Sequence, residues 1–356
     1  MAQAPSQAAR PFVEYLAGHL PMVEQALLDF RAVPMARAGE GPVDDLDDYL
    51  YRPLAAFTSR GGKRVRPVLA LLGAQAVGAR PERALSAAVA IELFQSAALV
   101  HDDIADESDL RRGEPCLHLT EGVGPAINCG DLALTSVFEV VLDDATLPDA
   151  ARLRVLRELV RMERHTLEGQ ALDLGWARDA RWDVTSDDYL YMVDAKTAWY
   201  SAASPLCAGA LAAGADEDAA RGLVEVGRPA GIAFQIQDDL LNLVGDPDAQ
   251  GKDFRSDVTE GKRTLAVVWA LEHLDPSGRE ELVSILGAHT QDPALLARAV
   301  ELVELGGAIE ACRERARAAA SASQAAAADL AACGVINDRA CELLRSMADF
   351  FVERAG

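Results

Sequence analysis

The chain has 356 residues, half of them apolar, which is enough to bury a sizeable core and excludes disorder for most of its length. Asp and Glu number 56 against 34 Lys and Arg, a net charge of −22. Such a surface repels polyphosphate backbones and excludes nucleic acid as a partner, but it leaves room for cations and for small phosphorylated ligands that meet a local basic cluster.

In chain order, the first ten residues are polar and Ala/Gln-rich, with no apolar run of a secretory signal; they predict a flexible start. Gly61-Gly62-Lys63-Arg64-Val65-Arg66-Pro67 sets a glycine turn and a basic cluster before a helix, with Pro67 in its first turn. Pro81 to Ser108 predicts one long helix, because Leu85, Val89, Leu93, Ala97 and Val100 recur every three or four residues. Ser186-Asp187-Asp188 predicts an N-cap and an acidic first turn. Thr197 to Ala215 is uncharged and rich in small residues, with Pro205 inside it. It predicts a closely packed buried helix with a kink rather than a membrane span. Asp216 to Val244 predicts another long helix, kinked at Pro229 so that neighbours can approach. Strand signals are almost absent and no segment resembles an interdomain linker. The expectation is an all-α fold: a single large domain over 1–356, of about a dozen helices. The six cysteines form no CxxC pair, which points to reduced core residues in a cytoplasmic protein.

Two acidic phrases interrupt apolar helical patterns. Asp102-Asp103-Ile104-Ala105-Asp106 sits late in the Pro81 helix, where Asp102 and Asp106 share a face and Asp103 flanks them. Asp238-Asp239-Leu240-Leu241-Asn242 sits late in the Asp216 helix. Carboxylates crowded at the negative end of a helix dipole repel one another unless a cation lies between them. All-oxygen ligands that leave room for water and phosphate suit Mg²⁺. Basic loops follow each cluster: Arg111-Arg112-Gly113 after the first, Lys252 and Glu260-Gly261-Lys262-Arg263 after the second. Lys196-Thr197 adds a cation and a hydroxyl within an apolar stretch. Any one of these groups alone could be solvated surface. Together they point to two diphosphate sites, one bridged by Mg²⁺ and one gripped directly by Arg and Lys.

The phrases GGKRVRP, LVHDDIADESDLRRGEP, AINCGDLAL, EGQALDL, DAKTA, FQIQDDLLNLVGD and GKDFRSDVTEGKRT resemble, in order, those of the trans-isoprenyl diphosphate synthase (polyprenyl synthetase) family, and bacterial geranylgeranyl diphosphate synthases in particular. The resemblance runs from about Tyr49 to Thr264. It implies helices around a deep cavity, a cytoplasmic homodimer without transmembrane segments, and Mg²⁺-dependent head-to-tail condensation of isopentenyl diphosphate with a dimethylallyl, geranyl or farnesyl diphosphate. It implies that Asp102 and Asp106 hold two Mg²⁺ ions with Asp103 in support, and that Asp238 holds a third with Asp239 nearby. Arg111, Lys196, Thr197, Gln235, Lys252 and Lys262 would grip the allylic diphosphate. Gly62, Lys63, Arg66, Gln95 and Arg112 would hold isopentenyl diphosphate. The Lys196 and Thr197 carbonyls and the Gln235 side chain would lie along the path of the allylic cation, behind a 246–261 loop that excludes water. Two positions depart from the family pattern: Gln95 stands where bacterial relatives often have His, and Asn242 where many have Asp.

Product length follows from the same resemblance. Ala98 and Ala97 precede Asp102 by four and five residues, about 6 and 7.5 Å along a helix. Bulky aromatics at these places stop the product at C15 in the family; two alanines leave the path open. Phe94 lies about 12 Å from Asp102 and is the expected floor, giving geranylgeranyl diphosphate, C20. If Phe94 instead points at a neighbouring helix, C25 or longer is expected. Farnesyl diphosphate is the shorter alternative. A terpene cyclase would need an Asn/Ser/Glu metal motif in place of the second cluster. A non-catalytic subunit of a heteromeric synthase would lack an acidic motif or the cations kept here.

Overall fold

The computed structural model describes residues 6–30, 32–35, 41–245 and 255–353. Helices dominate; the one sheet among the described residues is a ribbon pairing Leu110–Arg111 with Glu114–Pro115. The chain divides into two compact units. One comprises Met1–Val13, Arg161–Ser204 and Gly222–Gly356, the other Glu14–Val160 and Pro205–Arg221.

In the second of these, the Val65–Ala76, Leu85–Ala105 and Val123–Leu142 helices carry the first acidic cluster and the glycine turn. The predicted Pro81 helix begins as a 3₁₀ turn, Pro81–Ala84, and becomes α-helical only over Leu85–Ala105. Small side chains pave its interior: Ala87, Ala88, Ala90 and Ala97 are fully buried, which lets neighbouring helices pack closely. Ala97 belongs to a small core with Leu54 and Ala133.

In the other unit, Tyr189, Met192, Ile236, Leu240 and Leu243 join Val258, Leu265 and Leu282 in one core, anchoring the second acidic cluster from beneath. The Ser186–Val193 helix is capped by Thr185, one residue before the predicted cap. Thr185 and Asp188 form a reciprocal capping box, and a hydroxyl followed three residues later by an acid is its signature. The irregularity expected at Pro205 lies upstream of it, as a π-helix over Asp194–Ala203. Pro205 itself stands in the first turn of the Ser204–Ala212 helix, where its missing amide costs nothing. Three glycines, Gly169, Gly227 and Gly231, make room for the wide π-turns. A Cβ on Gly169 would lie 2.3 Å from the Lys196 nitrogen, and one on Gly231 2.5 Å from the Ala198 Cα. Glycine, rather than the Pro229 kink, therefore makes the close approach to the Glu217–Val244 helix.

The start is more ordered than expected from residue 6 onward: Ala9 is buried and the Arg10–Asp29 helix follows directly. All six cysteines are free thiols; Cys116, Cys129, Cys207 and Cys312 are buried.

Candidate active site

Asp102 and Asp103 end the Leu85–Ala105 helix, and Asp106 caps it, its amide donating to the Asp102 carbonyl at 2.8 Å. Asp102 and Asp106 thus stand one turn apart and half-buried, as the spacing predicts. Asp103 turns inward. It is 1% exposed, and its Oδ1 accepts from Arg111 Nε at 2.8 Å and also from Nη2. Burial alone would pull the Arg111 guanidinium down, but Asp103 holds it above its ordinary value. The Cys116 thiol beside this pair is pushed up to about 12 by burial and then by the Asp103 charge, so it stays neutral.

The ribbon carrying Arg111 turns at Arg112 and Gly113, both with positive φ (56° and 78°), the geometry a two-residue hairpin loop demands. Arg112 reaches back to the glycine turn. Its Nη1 donates to the Gly61 carbonyl, and a Cβ on Gly62 would press on its guanidinium at 3.2 Å. Arg64 is buried on Glu92 and Glu24. Burial lowers the Arg112 pKa; Glu92 opposes this, while Arg64, Arg111 and Arg66 add to it. Arg64, Arg66, Arg111 and Arg112 thus gather around Glu24, Glu92 and Asp103, a cluster of guanidinium groups suited to an anion with several oxygens. Lys63 is exposed and Arg66 half-buried at its rim; Gln95, half-buried, stands two turns before Asp102 on the same helix.

The other unit holds the second cluster. Lys196 Nζ donates to Asp173 Oδ2; burial would raise the Asp173 carboxyl, but the charge and hydrogen bond of Lys196, joined by the Lys262 and Arg263 charges, together hold it below its ordinary value. Thr197 is 4% exposed. Lys262 pairs with Glu260 and lies 3.9 Å from Asp257, whereas its neighbour Arg263 is buried, donating to the Arg181 and Gly261 carbonyls. Asp238 is half-buried. Asp239 accepts from Tyr189 Oη and from Gln235 Nε2, each at 2.6 Å. Burial, and then the Asp257 charge, push its carboxyl up to about 8. Asn242 is fully engaged: Nδ2 donates to Ser256 Oγ at 3.1 Å, and Oδ1 accepts from the Asp257 amide at 3.2 Å. It caps the Ser256–Thr259 turn. Lys252, and residues 246–254 of the expected closing loop, lie outside the described residues.

Residues 47–303 match the family model described as polyprenyl synthetase. A short chain isoprenyl diphosphate synthase of Methanothermobacter thermautotrophicus is 41% identical over 276 residues, covering 77% of this chain and 82% of the relative. The chain belongs to the polyprenyl synthetase family. A crystal structure of geranylgeranyl pyrophosphate synthetase from Pyrococcus horikoshii superposes with a TM-score of 0.83 at 31% identity, over 96% of this chain and 98% of that one. A geranylgeranyl pyrophosphate synthase of Corynebacterium glutamicum, complexed with isoprenyl diphosphate and magnesium, superposes at 0.80 with 29% identity, over 99% and 100%. This synthase is therefore a prenyltransferase of the trans-isoprenyl type, all-α, acting on isoprenyl diphosphates with Mg²⁺.

The donor chemistry of this synthase fits Mg²⁺. Asp102 and Asp106 share a face and supply only oxygen, while Asp103 is diverted to Arg111. Among the described residues, no three His, Cys, Asp or Glu side chains converge on one point, so a bound cation would draw further ligands from phosphate and water. Sequence reasoning missed Asp173, Asp257, Glu92 and Tyr189. Asp173 and Asp257 lie inside quoted family phrases, EGQALDL and GKDFRSDVTEGKRT; for Asp257 the available signal is an acid between the expected cations Lys252 and Lys262, whereas Asp173 has no expected cation near it in sequence. His101, adjoining the first cluster, packs on Gly130 with its Nε2 3.4 Å from Asp131.

Proposed function

We propose that this prenyltransferase elongates short allylic primers with isopentenyl diphosphate to geranylgeranyl diphosphate, and that residues 1–356 act as one synthase domain in a cytoplasmic homodimer. The observation that carries the reading is the division of labour among charges. The first cluster couples a carboxylate pair to Arg111, and the arginine-rich wall behind it holds Arg112 on the glycine turn. A carboxylate pair suits a metal-bridged diphosphate; an arginine wall without free acids suits one bound directly.

Asp102, Asp106 and Asp238 would hold the Mg²⁺ ions, three as in the family pattern. Once bound, these would neutralise the allylic diphosphate and make it a competent leaving group. Arg111, Lys196, Lys252 and Lys262 would add positive charge where the bridging oxygen becomes anionic. Arg111 and Lys196 are held ready by Asp103 and Asp173, so they need not be ordered at the moment of reaction. Lys63, Arg66, Arg112, Gln95 and the Gly62 backbone would orient isopentenyl diphosphate. Its double bond attacks the allylic carbon, the diphosphate leaves, and the departed diphosphate is a base within reach of the proton lost last.

The C20 length rests on the Leu85–Ala105 helix. Ala97 is buried against Leu54 and Ala133, so Ala98, half-buried, is the small residue open to an advancing chain. Phe94, 4% exposed, lies one turn further on. Incubating the protein with isopentenyl diphosphate, Mg²⁺ and each short primer, then sizing the dephosphorylated alcohols, tests the reading. Ala98→Phe should shorten the product towards C15 and Phe94→Ala should lengthen it; unchanged products in both would exclude this helix as the ruler.

The homodimer is supported by apolar surface. Among the described residues, two helices are long and apolar enough to cross a membrane by composition, Pro81–Ala105 and Val123–Leu142. The first is a core helix ending in the aspartates. The second leaves Val123, Ile127 and Leu142 about half exposed, and its N-terminal end borders a pocket of about 410 Å³ lined by Leu46, Tyr49, Pro125 and Ile127. A second copy would cover that surface. Sedimentation should give a dimer mass, and Ile127→Asp should yield monomers.

A further inference from the structure

The second acidic phrase contains an aspartate whose two oxygens are both taken by the protein. Tyr189 Oη donates to Asp239 Oδ2 and Gln235 Nε2 donates to Oδ1, each at 2.6 Å. Tyr189 is 1% exposed and Asp239 9%, so neither contact is shared with bulk water. Nε2, not Oε1, is the Gln235 atom that lies against Asp239, so the amide sits with its NH₂ on Asp239 and its carbonyl oxygen facing away. Gln235 precedes Asp238 by three residues and Asp239 by four on the Glu217–Val244 helix, so all three lie along one side of it. Tyr189 stands on the Ser186–Val193 helix, which runs without a break into the π-helix of Lys196 and Thr197. The hydrogen-bonded chain Tyr189–Asp239–Gln235 therefore ties the element bearing Lys196 to the amide of Gln235.

We infer that Asp239 is not a metal ligand: Tyr189 and Asp239 are positioning residues that fix Gln235 with its Oε1, not its Nε2, toward the allylic carbon as that carbon becomes positive. The inference rests on the prenyl-transfer reading above and on the place of Gln235 in it. A carbonyl oxygen stabilises an adjacent cation, whereas an NH₂ in the same place repels it; one amide flip changes the sign of the contribution. Because diphosphate binding does not involve that oxygen, the effect belongs to the reacting state rather than to substrate affinity.

The test uses Tyr189→Phe, which keeps the ring and its packing, and Asp239→Asn, which keeps the shape but can present its own NH₂ to Gln235 and so invite the flip. In Tyr189→Phe, kcat should fall roughly tenfold, the scale of one lost buried hydrogen bond, while KM for both substrates stays within about twofold. Asp239→Asn should lose more. Two binding readouts accompany the kinetics. With Mg²⁺ present, wild-type protein should bind a diphosphate analogue carrying an ammonium nitrogen at the reacting position more tightly than an uncharged, unreactive thiodiphosphate. Both variants should lose that preference and keep their affinity for the uncharged analogue. Calorimetry with Mg²⁺ and inorganic diphosphate should give the same metal affinity for Asp239→Asn as for wild type, and a lower one for Asp238→Ala. Equal losses for both analogues, or metal affinity lost in Asp239→Asn as in Asp238→Ala, would overturn the inference. A wild type that binds both analogues but does not distinguish them would overturn it alone. A wild type that binds neither would overturn the prenyl-transfer reading, and the inference with it.

Discussion

The two acidic clusters share a sequence pattern but solve its electrostatic problem differently. In each, the middle aspartate is turned into the protein. Asp103 meets a cation, Arg111, on Oδ1, which offsets part of the cost of burying its charge, while its Oδ2 makes no hydrogen bond. Asp239 meets only the neutral donors Tyr189 and Gln235, and burial, followed by the Asp257 charge, pushes its carboxyl up to about 8. A third acid, half-buried, lies outside both clusters. Glu163 leaves Oε1 without a partner, and burial alone pushes it up to about 7. The lesson is that a repeated DD phrase does not imply repeated roles; the partner of the inward-facing acid decides what it can do.

The comparison can be broken most severely at the outward-facing acids. Asp102→Ala or Asp238→Ala should reduce turnover at least on the order of a thousandfold, since each removes a charge-stabilising contact to the leaving diphosphate. Their circular dichroism should match wild type; wild-type turnover in either would dismiss the metal assignment. Next comes Asp103→Ala, which strands the buried Arg111. It should cost about 3–5 kcal/mol of stability, measured by denaturant unfolding, and a double change that also replaces Arg111 with Met should recover part of it. A loss below 1 kcal/mol would mean that the pair is not the anchor of this cluster.

Glu163 sharpens the contrast through pH. Its pKa is raised on folding, so the native state binds the proton more tightly than the unfolded chain. The stability this supplies is complete below about pH 4.5 and is lost as pH rises to about 7. Glu163→Gln should therefore match wild type near pH 4.5 and be more stable at pH 8, by roughly 3 kcal/mol. Parallel stability–pH curves for the two proteins would place Glu163 in contact with solvent. The smallest expected effects separate the two substrate sites. Lys63→Ala and Arg112→Ala should weaken isopentenyl diphosphate, and Arg111→Ala and Lys196→Ala the allylic substrate, by about 1.5–3 kcal/mol each. Steady-state constants with each substrate varied in turn would show it; equal effects on both would merge the sites.

Much of this was legible in the sequence, for a physical reason. Apolar periodicity marks the helices, and acids inside such a pattern stand out because the core has no use for them. That exposes Asp102, Asp106 and Asp238 at once. What the sequence hides is pairing between elements. Lys196 meeting Asp173, 23 residues away, and Tyr189 meeting Asp239, 50 residues away, leave no local trace. Nor does the π-helix: residues 194–203 carry no breaker, and the glycines that admit it, Gly169, Gly227 and Gly231, stand on other elements. Asn242 departs from the family pattern, and its engagement with Ser256 and Asp257 gives the amide a structural task in place of a ligand's.

The ribbon turn at Arg112-Gly113 has a consequence for how this region can change over generations. Two adjacent codons specify arginines that serve different masters: Arg111 faces Asp103, and Arg112 faces the Gly61 carbonyl and Glu92. Their separation is enforced by a loop that admits two residues and no more. A one-residue insertion or deletion there would leave both arginines in the protein and send them to each other's destination. Substitutions around the ribbon can accumulate one at a time, but its length cannot drift, so length at this point should prove more rigidly inherited than the identity of the residues that flank it.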